Sequence, residues 1–231
     1  MKHSGRAAKA AIKLIALTLA ALVGLLAVLA GVVLFAKVPL PFGPIAIGFI
    51  VLWMLFALFT IYFFRDPDAR IPAERALVVS PAHGKVDIID EVTEPLFIGG
   101  PCRRISIFLS VIDIHVQNAP VSGELAFYKY TTGKFLNALK SESAAHNENA
   151  LLGIECSERP GVKIGVRLIA GLIARRIVPF VAQGEDLQRG ERISLIQFGS
   201  RTDLYLPLNA KIKIKLGDRA VGGETIMAVL D

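Results

Sequence analysis

The chain has 231 residues, 53% of them hydrophobic, with a mean hydropathy of +0.54, a net charge of +6 and a pI near 9.4. That length holds one sizeable domain and an appendage, and the hydropathy is too high for a purely soluble domain, so membrane segments are expected. The charge favours an anionic partner; the two cysteines, Cys102 and Cys156, make no metal motif or disulfide framework and read as free thiols in a reducing cytosol.

Residues 1–13 form a basic tail carrying Lys2, Arg6, Lys9 and Lys13. Leu14 to Ala36 is uncharged, and a proline-rich break, Pro39-Leu40-Pro41-Phe42-Gly43-Pro44, interrupts helix there. Ile45 to Phe64 is again uncharged. Each run is about the roughly 20 residues a helix needs to cross a bilayer, and the short break permits only an antiparallel hairpin over 14–64. The first run is too long for a signal peptide and a second span follows it at once. Arg65, Arg70 and Arg75 follow the hairpin and the basic tail precedes it, with the lone Lys37 between the spans. The positive-inside rule then places both ends in the cytoplasm, with the hairpin in the inner (cell) membrane.

Residues 65–75 read as a polar, proline-bearing linker, and a β domain over 76–231 follows. Ala76 to Ser80 reads as a buried strand, Pro81-Ala82-His83-Gly84 as a turn, and Lys85 to Asp90 as the returning strand. Arg104 to Leu109 alternates as a strand does, with Ile112 to Val116 as its continuation after a break at Ser110. Glu124 to Tyr130 is an aromatic-rich strand. Gly133 to Ala150 reads as a mobile loop or short helix, and strands resume at Val162–Val166 and Ala174–Val181.

The last part contains an internal repeat. Gly184-Glu185-Asp186 and Gly217-Asp218-Arg219 each open a turn, followed six residues on by Gly190-Glu191 and Gly223-Glu224 and then a strand. Lys211 to Leu216 alternates lysines with aliphatics between the copies. Two related hairpin units closing around one core give a mostly antiparallel β fold, a barrel or sandwich with few helices.

Between two alternating runs, Ile193–Leu195 and Leu204–Leu206, sits Phe198-Gly199-Ser200-Arg201. Gly199 allows a strained turn and leaves its carbonyl open, and Ser200 puts a hydroxyl beside it. Taken alone, these two residues make an ordinary Gly-Ser turn.

The repeat with an exposed turn resembles biotinyl and lipoyl carrier domains, but Gly199-Ser200-Arg201 lacks their essential lysine. A membrane adaptor built on such a barrel is one rival reading. A fuller resemblance is to the phosphatidylserine decarboxylase proenzymes in their short, two-span bacterial form. It rests on Phe108 to Gly123 as a histidine segment, Gly133 to Ala138 with Asn147-Glu148 as a central loop, and Ile173 to Val178 with Arg189-Gly190-Glu191-Arg192 to Arg201 as a processing region.

That resemblance implies self-cleavage between Gly199 and Ser200. Ser200 Oγ attacks the Gly199 carbonyl, the resulting ester eliminates, and the dehydroalanine left behind hydrolyses to a pyruvoyl group. The products are a large chain 1–199 and a small chain 200–231, held together as a heterodimer; higher oligomers stay open. The pyruvoyl group forms a Schiff base with the serine head group of phosphatidylserine and takes the place of pyridoxal phosphate, with no metal. The product is phosphatidylethanolamine.

His115 becomes the acid–base candidate, its ordinary pKa of about 6.5 suiting proton transfer; the plain alternative is a structural histidine near Asp113. Arg103, Arg104, Arg175 and Arg176 are candidates for the lipid phosphate or carboxylate, against solvated surface arginines. Two positions depart from the family pattern. His83 stands where the family's Pro-Ala-Asp-Gly turn has its aspartate, and Asn118 stands where long-form members have a second histidine. A histidine cannot supply a fixed negative charge. The alternative reading is therefore an unprocessed relative, a lipid-binding or scaffold protein. Nothing resembles a P-loop, a Rossmann turn, a zinc cluster or a nucleic-acid motif, and the positive charge is better explained by attraction of anionic lipid to the cytoplasmic leaflet, with no nucleic-acid partner expected.

Overall fold

The computed structural model describes every residue except 1, 36–40, 135, 137–145, 172–175 and 198–199. The chain divides into two compact units, Gly5–Asp66 and a second made of Pro67–Asp231 with Met1–Ser4.

The first unit is a pair of helices, α1 (Arg6–Phe35) and α2 (Phe42–Phe63). Their outward faces are apolar: Val28, Leu52 and Leu58 are 66%, 64% and 64% exposed. Both helices are long and apolar enough to cross a membrane, where intrahelical hydrogen bonds satisfy the backbone without water. Helix α1 begins at Arg6 rather than at the uncharged run, so Lys9 and Lys13 lie on its early turns. The Trp53 indole N–H donates to Thr18 Oγ1 at 3.2 Å, and that hydroxyl donates to the Leu14 carbonyl at 3.0 Å. This polar link ties the two apolar helices together.

The second unit is a β domain. Its strands are β1 (Leu77–Val79), β2 (Gly84–Glu94), β3 (Gly100–Leu109), β4 (Val116–Asn118), β5 (Gly123–Thr131), β6 (Asn149–Cys156) and β7 (Lys163–Ala170). They continue as β8 (Ile177–Pro179), β9 (Asp186–Leu187), β10 (Arg192–Ile196), β11 (Ser200–Leu206), β12 (Lys211–Ile212), β13 (Arg219–Ala220) and β14 (Ile226–Val229). An eight-stranded antiparallel sheet has the order β13-β2-β3-β11-β7-β6-β5-β9, and two three-stranded sheets have the orders β1-β14-β12 and β4-β10-β8.

These orders describe an approximate twofold relation running between β7 and β11, and the repeat seen in the sequence is part of it. Matching backbone bonds recur in the two halves. Gly190 N–H donates to Ala119 O and Gly223 N–H to Ser80 O, both at 2.8 Å. Asn118 N–H donates to Pro81 O and Val79 N–H to Pro120 O, both at 2.9 Å. The turn glycines agree in conformation: φ is 89° at Gly184 and 92° at Gly217, 78° at Gly190 and 75° at Gly223. Positive φ at these turns is inexpensive only for glycine.

Two sequence expectations change here. Lys85–Asp90 does not return along Leu77–Val79; β2 pairs with β3 and β13, while β1 pairs with β14. The turn between them crosses from one sheet to the other, because Gly84 lies so close to β3 that a Cβ there would sit 2.2 Å from the Phe108 carbonyl oxygen. The segment after Ser110 does not extend β3 either; β4 pairs with β10 in a different sheet. Strand β6, absent from the sequence reading, fills the sheet between β5 and β7.

The two faces of β11 differ. Ser200, Thr202, Leu204 and Leu206 share a face with their register partners Leu109, Ile107 and Ile105 on β3 and Ala170, Leu168 and Val166 on β7, all buried. Arg201, Asp203 and Tyr205 lie on the opposite face.

Candidate active site

Ser200 opens β11, paired with Leu109 on one side and Ala170 on the other. Its side chain is fully buried, and Oγ has no hydrogen-bond partner among the described residues. Thr202 Oγ1, next along the same face, shares that state. A buried hydroxyl without a partner is uncommon, because its desolvation goes uncompensated. Gly199 and Phe198, on the other side of the expected scissile bond, lie outside the described residues. Just before them, Gln197 N–H donates to the Arg176 carbonyl at 3.2 Å.

The connection 110–115 runs from Leu109, the partner of Ser200, to His115. His115 is fully buried, and its backbone carbonyl accepts from Ile196 N–H at 3.1 Å and from Gln117 Nε2 at 2.7 Å. Gln117 is held in turn by Ser194 Oγ, which donates to its Oε1 at 2.6 Å. The His115 ring places Nδ1 2.9 Å from the Asp113 carbonyl oxygen. A carbonyl only accepts, so Nδ1 carries the hydrogen and Nε2 is the nitrogen that can take a proton. The Asp113 carboxylate has a different task. It accepts from Ser110 N–H at 2.9 Å and Ser110 Oγ at 2.8 Å, and pairs with Arg219. Thus Asp113 closes the loop, and its backbone oxygen orients the imidazole.

His83 and Asn118 come together over Gly222. A Cβ on Gly222 would lie 2.7 Å from Asn118 Oδ1 and 3.0 Å from His83 Nε2. Asn118 also donates Nδ2–H to the Gly190 carbonyl at 2.9 Å. In the other half of the domain the position matching Gly222 is Arg189, whose guanidinium donates to the Leu77 carbonyl at 3.2 Å and the Pro72 carbonyl at 2.9 Å. The two halves therefore differ where His83 and Asn118 sit.

Asn147 closes the other side. It is buried, and its Nδ2 donates to the Ala170 carbonyl at 2.8 Å and the Leu136 carbonyl at 2.9 Å. Its Oδ1 accepts from Leu136 N–H at 2.8 Å. The sequence placed Asn147 in a motif without a role; nothing in its spacing reveals this clamp. Most of the intervening segment, Gly133 to Ala150 in the sequence reading, lies outside the described residues.

The candidate arginines separate. Arg103 and Arg104 pair in register with Leu206 and Tyr205, at the far end of β11, about 20 Å from Ser200 at strand rise. Arg104 is bound to Asp90 at 2.6 Å and Arg103 to Glu91 at 3.0 Å. The structure does not bring either to Ser200. Arg176 is exposed and is bonded through its carbonyl to Gln197 N–H, whereas Arg175 lies outside the described residues.

A cavity of about 270 Å³ is lined by Glu94, Lys129, Asn149, Arg167 and Tyr205, among others. Tyr205 and Arg167 belong to the opposite face of the sheet from Ser200, so this cavity does not lie on the face that carries the Ser200 side chain.

Residues 56–228 match the phosphatidylserine decarboxylase family model. The phosphatidylserine decarboxylase proenzyme of Symbiobacterium thermophilum is 46% identical over 174 residues, covering 75% of this chain and 80% of the relative. The proenzyme of Ruegeria pomeroyi is 45% identical over 172 residues, with coverages of 73% and 78%, and that of Desulfotalea psychrophila 42% over 176 residues, with 76% and 81%. With its histidine loop, buried serine and duplicated β domain matched nearly throughout, the chain belongs to the phosphatidylserine decarboxylase family.

Proposed function

We propose that this chain decarboxylates phosphatidylserine to phosphatidylethanolamine, using a pyruvoyl group made from its own Ser200 by cleavage of the Gly199–Ser200 bond. The observation that carries the reading is the buried Ser200 hydroxyl, lacking a partner among the described residues, at the start of a central strand whose neighbour Leu109 leads to His115. Ser200 Oγ adds to the Gly199 carbonyl and displaces the amide nitrogen. The ester then eliminates across the Cα–Cβ bond of residue 200, and water releases ammonia from the resulting dehydroalanine. His115 Nε2 is the proton acceptor this chain offers for those steps.

Residue 200 suits the finished group. After cleavage it heads a small chain 200–231 whose first strand is paired along its length with β3 and β7, so it stays where it was made. A pyruvoyl group supplies an electrophilic carbonyl that takes the substrate amine and accepts the electrons released as carbon dioxide leaves. Around it, His115 donates and accepts protons, Asn147 fixes the strand end opposite, and Arg176 meets the lipid phosphate or carboxylate. The basic residues at both ends of the helix pair support a membrane-spanning hairpin, with the β domain on the cytoplasmic side. The domain division follows: the hairpin over 14–64, the linker 65–75 and the catalytic domain 76–231.

The histidine at position 83 favours a second reading, an uncleaved lipid-binding relative. Mass spectrometry of the unaltered full chain separates the two, an intact chain with unmodified Ser200 favouring the second reading, and Ser200→Ala tests the pyruvoyl reading itself. Loss of both cleavage and phosphatidylethanolamine formation is expected; a variant that still forms product overturns the pyruvoyl reading.

A further inference from the structure

Four exposed aliphatic side chains lie on neighbouring connections at the end of the sheet that carries Ser200. Val111 and Ile112, at the tip of the 110–115 connection, are 39% and 59% exposed; Leu216 and Val221, flanking β13, are 66% and 40% exposed. Single exposed aliphatics are ordinary on protein surfaces, but these belong to segments bonded to one another. The Arg219 guanidinium pairs with Asp113, joining β13 to the 110–115 connection. Gly217 N–H donates to the Val86 carbonyl and Val86 N–H to the Asp218 carbonyl, joining the 215–218 turn to β2.

Cations lie on the same joined segments. Lys85, Lys215 and Arg219 are exposed, and Lys85 is the register partner of Arg219. Among residues 84–87, 110–116 and 215–221 the exposed carboxylate is Asp218, which accepts Lys215 N–H at 2.9 Å. An apolar tip with a basic rim is complementary to an anionic lipid surface, where the aliphatics enter the acyl boundary and the cations remain among the head groups. Asp113, holding Ser110 N–H and Oγ, shapes the tip in advance, so little ordering is needed on contact.

We propose that Val111, Ile112, Leu216 and Val221 form a membrane-contact surface, separate from the helix pair, that seats the catalytic end of the β domain on anionic lipid. The inference rests on the membrane placement given above and adds an orientation. Ile112 lies three residues from Leu109, the partner of Ser200, and three from His115. A tip sunk in the head-group layer therefore brings both to the depth of a lipid head group.

The test uses the full chain in vesicles of anionic lipid with brominated acyl chains. Trp53 is the only tryptophan, so Trp53→Phe clears the background and Ile112→Trp or Leu216→Trp introduces one indole at an exposed position. Loss of emission at both positions as the brominated fraction rises, weakened by high salt, is expected. Full emission at both positions, in vesicles where Trp53 of the unaltered chain is quenched, overturns the proposal. Phosphatidylethanolamine formation by the same samples reports separately on the activity, so an active enzyme with unquenched tips rejects the contact surface alone.

Discussion

Asn147 donates its side-chain amide to the carbonyl of Ala170, the residue paired with Ser200. The same side chain holds the Leu136 backbone through both its donor and its acceptor. Asn147→Asp keeps the shape and removes the donors, leaving two carbonyls unsatisfied and a carboxylate buried. Stability should fall by about 1–3 kcal/mol and self-cleavage should slow. Thermal unfolding and the fraction of cleaved chain on a denaturing gel read the two effects; unchanged cleavage would remove Asn147 from the processing site.

His83 and Asn118 occupy the space above Gly222. Gly222→Ala forces a methyl to within 2.7 Å of Asn118 Oδ1, and overpacking of this kind costs about 1–3 kcal/mol. His83→Asp instead adds the fixed charge that the family's turn carries, and is expected to speed cleavage. A time course of freshly translated protein measures this. Slower cleavage in His83→Asp would mean that the imidazole has its own task.

Arg201, the second residue of the expected small chain, is 2% exposed and bound through both guanidinium nitrogens to Asp87 at 2.8 and 2.5 Å. This clamp fixes the start of β11 in the sheet, where the expected cleavage leaves a chain end. Replacing one partner breaks the pair, at a cost of about 3–5 kcal/mol for a fully buried pair, and less here because Asp87 is 29% exposed. In Asp87→Asn, the small chain should separate from the large one at lower urea than in wild type, as read by size-exclusion chromatography.

Asp203 sits in the same strand, buried, with Ser106 Oγ donating to it at 2.6 Å. Burial raises its pKa, opposed by the Ser106 hydrogen bond and by Arg104, Arg201 and Arg167. A raised carboxyl pKa means that the folded chain binds the proton more tightly than the unfolded one. Its contribution to stability is then greatest below the unfolded value of about 3.9 and is lost as pH rises through the folded value. Asp203→Asn removes that term, so its Tm should gain on wild type with rising pH over that window. A constant difference in Tm across the window would contradict the assignment.

The helix pair was legible because two long uncharged runs are separated by a proline-rich break, and the repeat because Gly184, Gly190, Gly217 and Gly223 adopt positive φ that other residues resist. The return of Lys85–Asp90 along β1 was misread because the local alternation fits either partner. What decides is the approach of Gly84 to Phe108, a contact distant in sequence. Strand β6 went unseen because it is apolar on both faces and carries no period-two signal. At the site, Ser200 and His115 were readable as residue types in a family pattern. The tautomer set by the Asp113 carbonyl, the Asn147 clamp and the displacement of Arg103 and Arg104 all depend on strand register, which single-sequence patterns do not carry.

The most direct test is the intact mass of the purified full chain. The account predicts two species, a chain ending at Gly199 and a fragment of residues 200–231 lighter by one ammonia than the serine-ended peptide, trapped by borohydride in the presence of an amine. A single uncut chain, or a fragment that keeps serine at position 200, would contradict it.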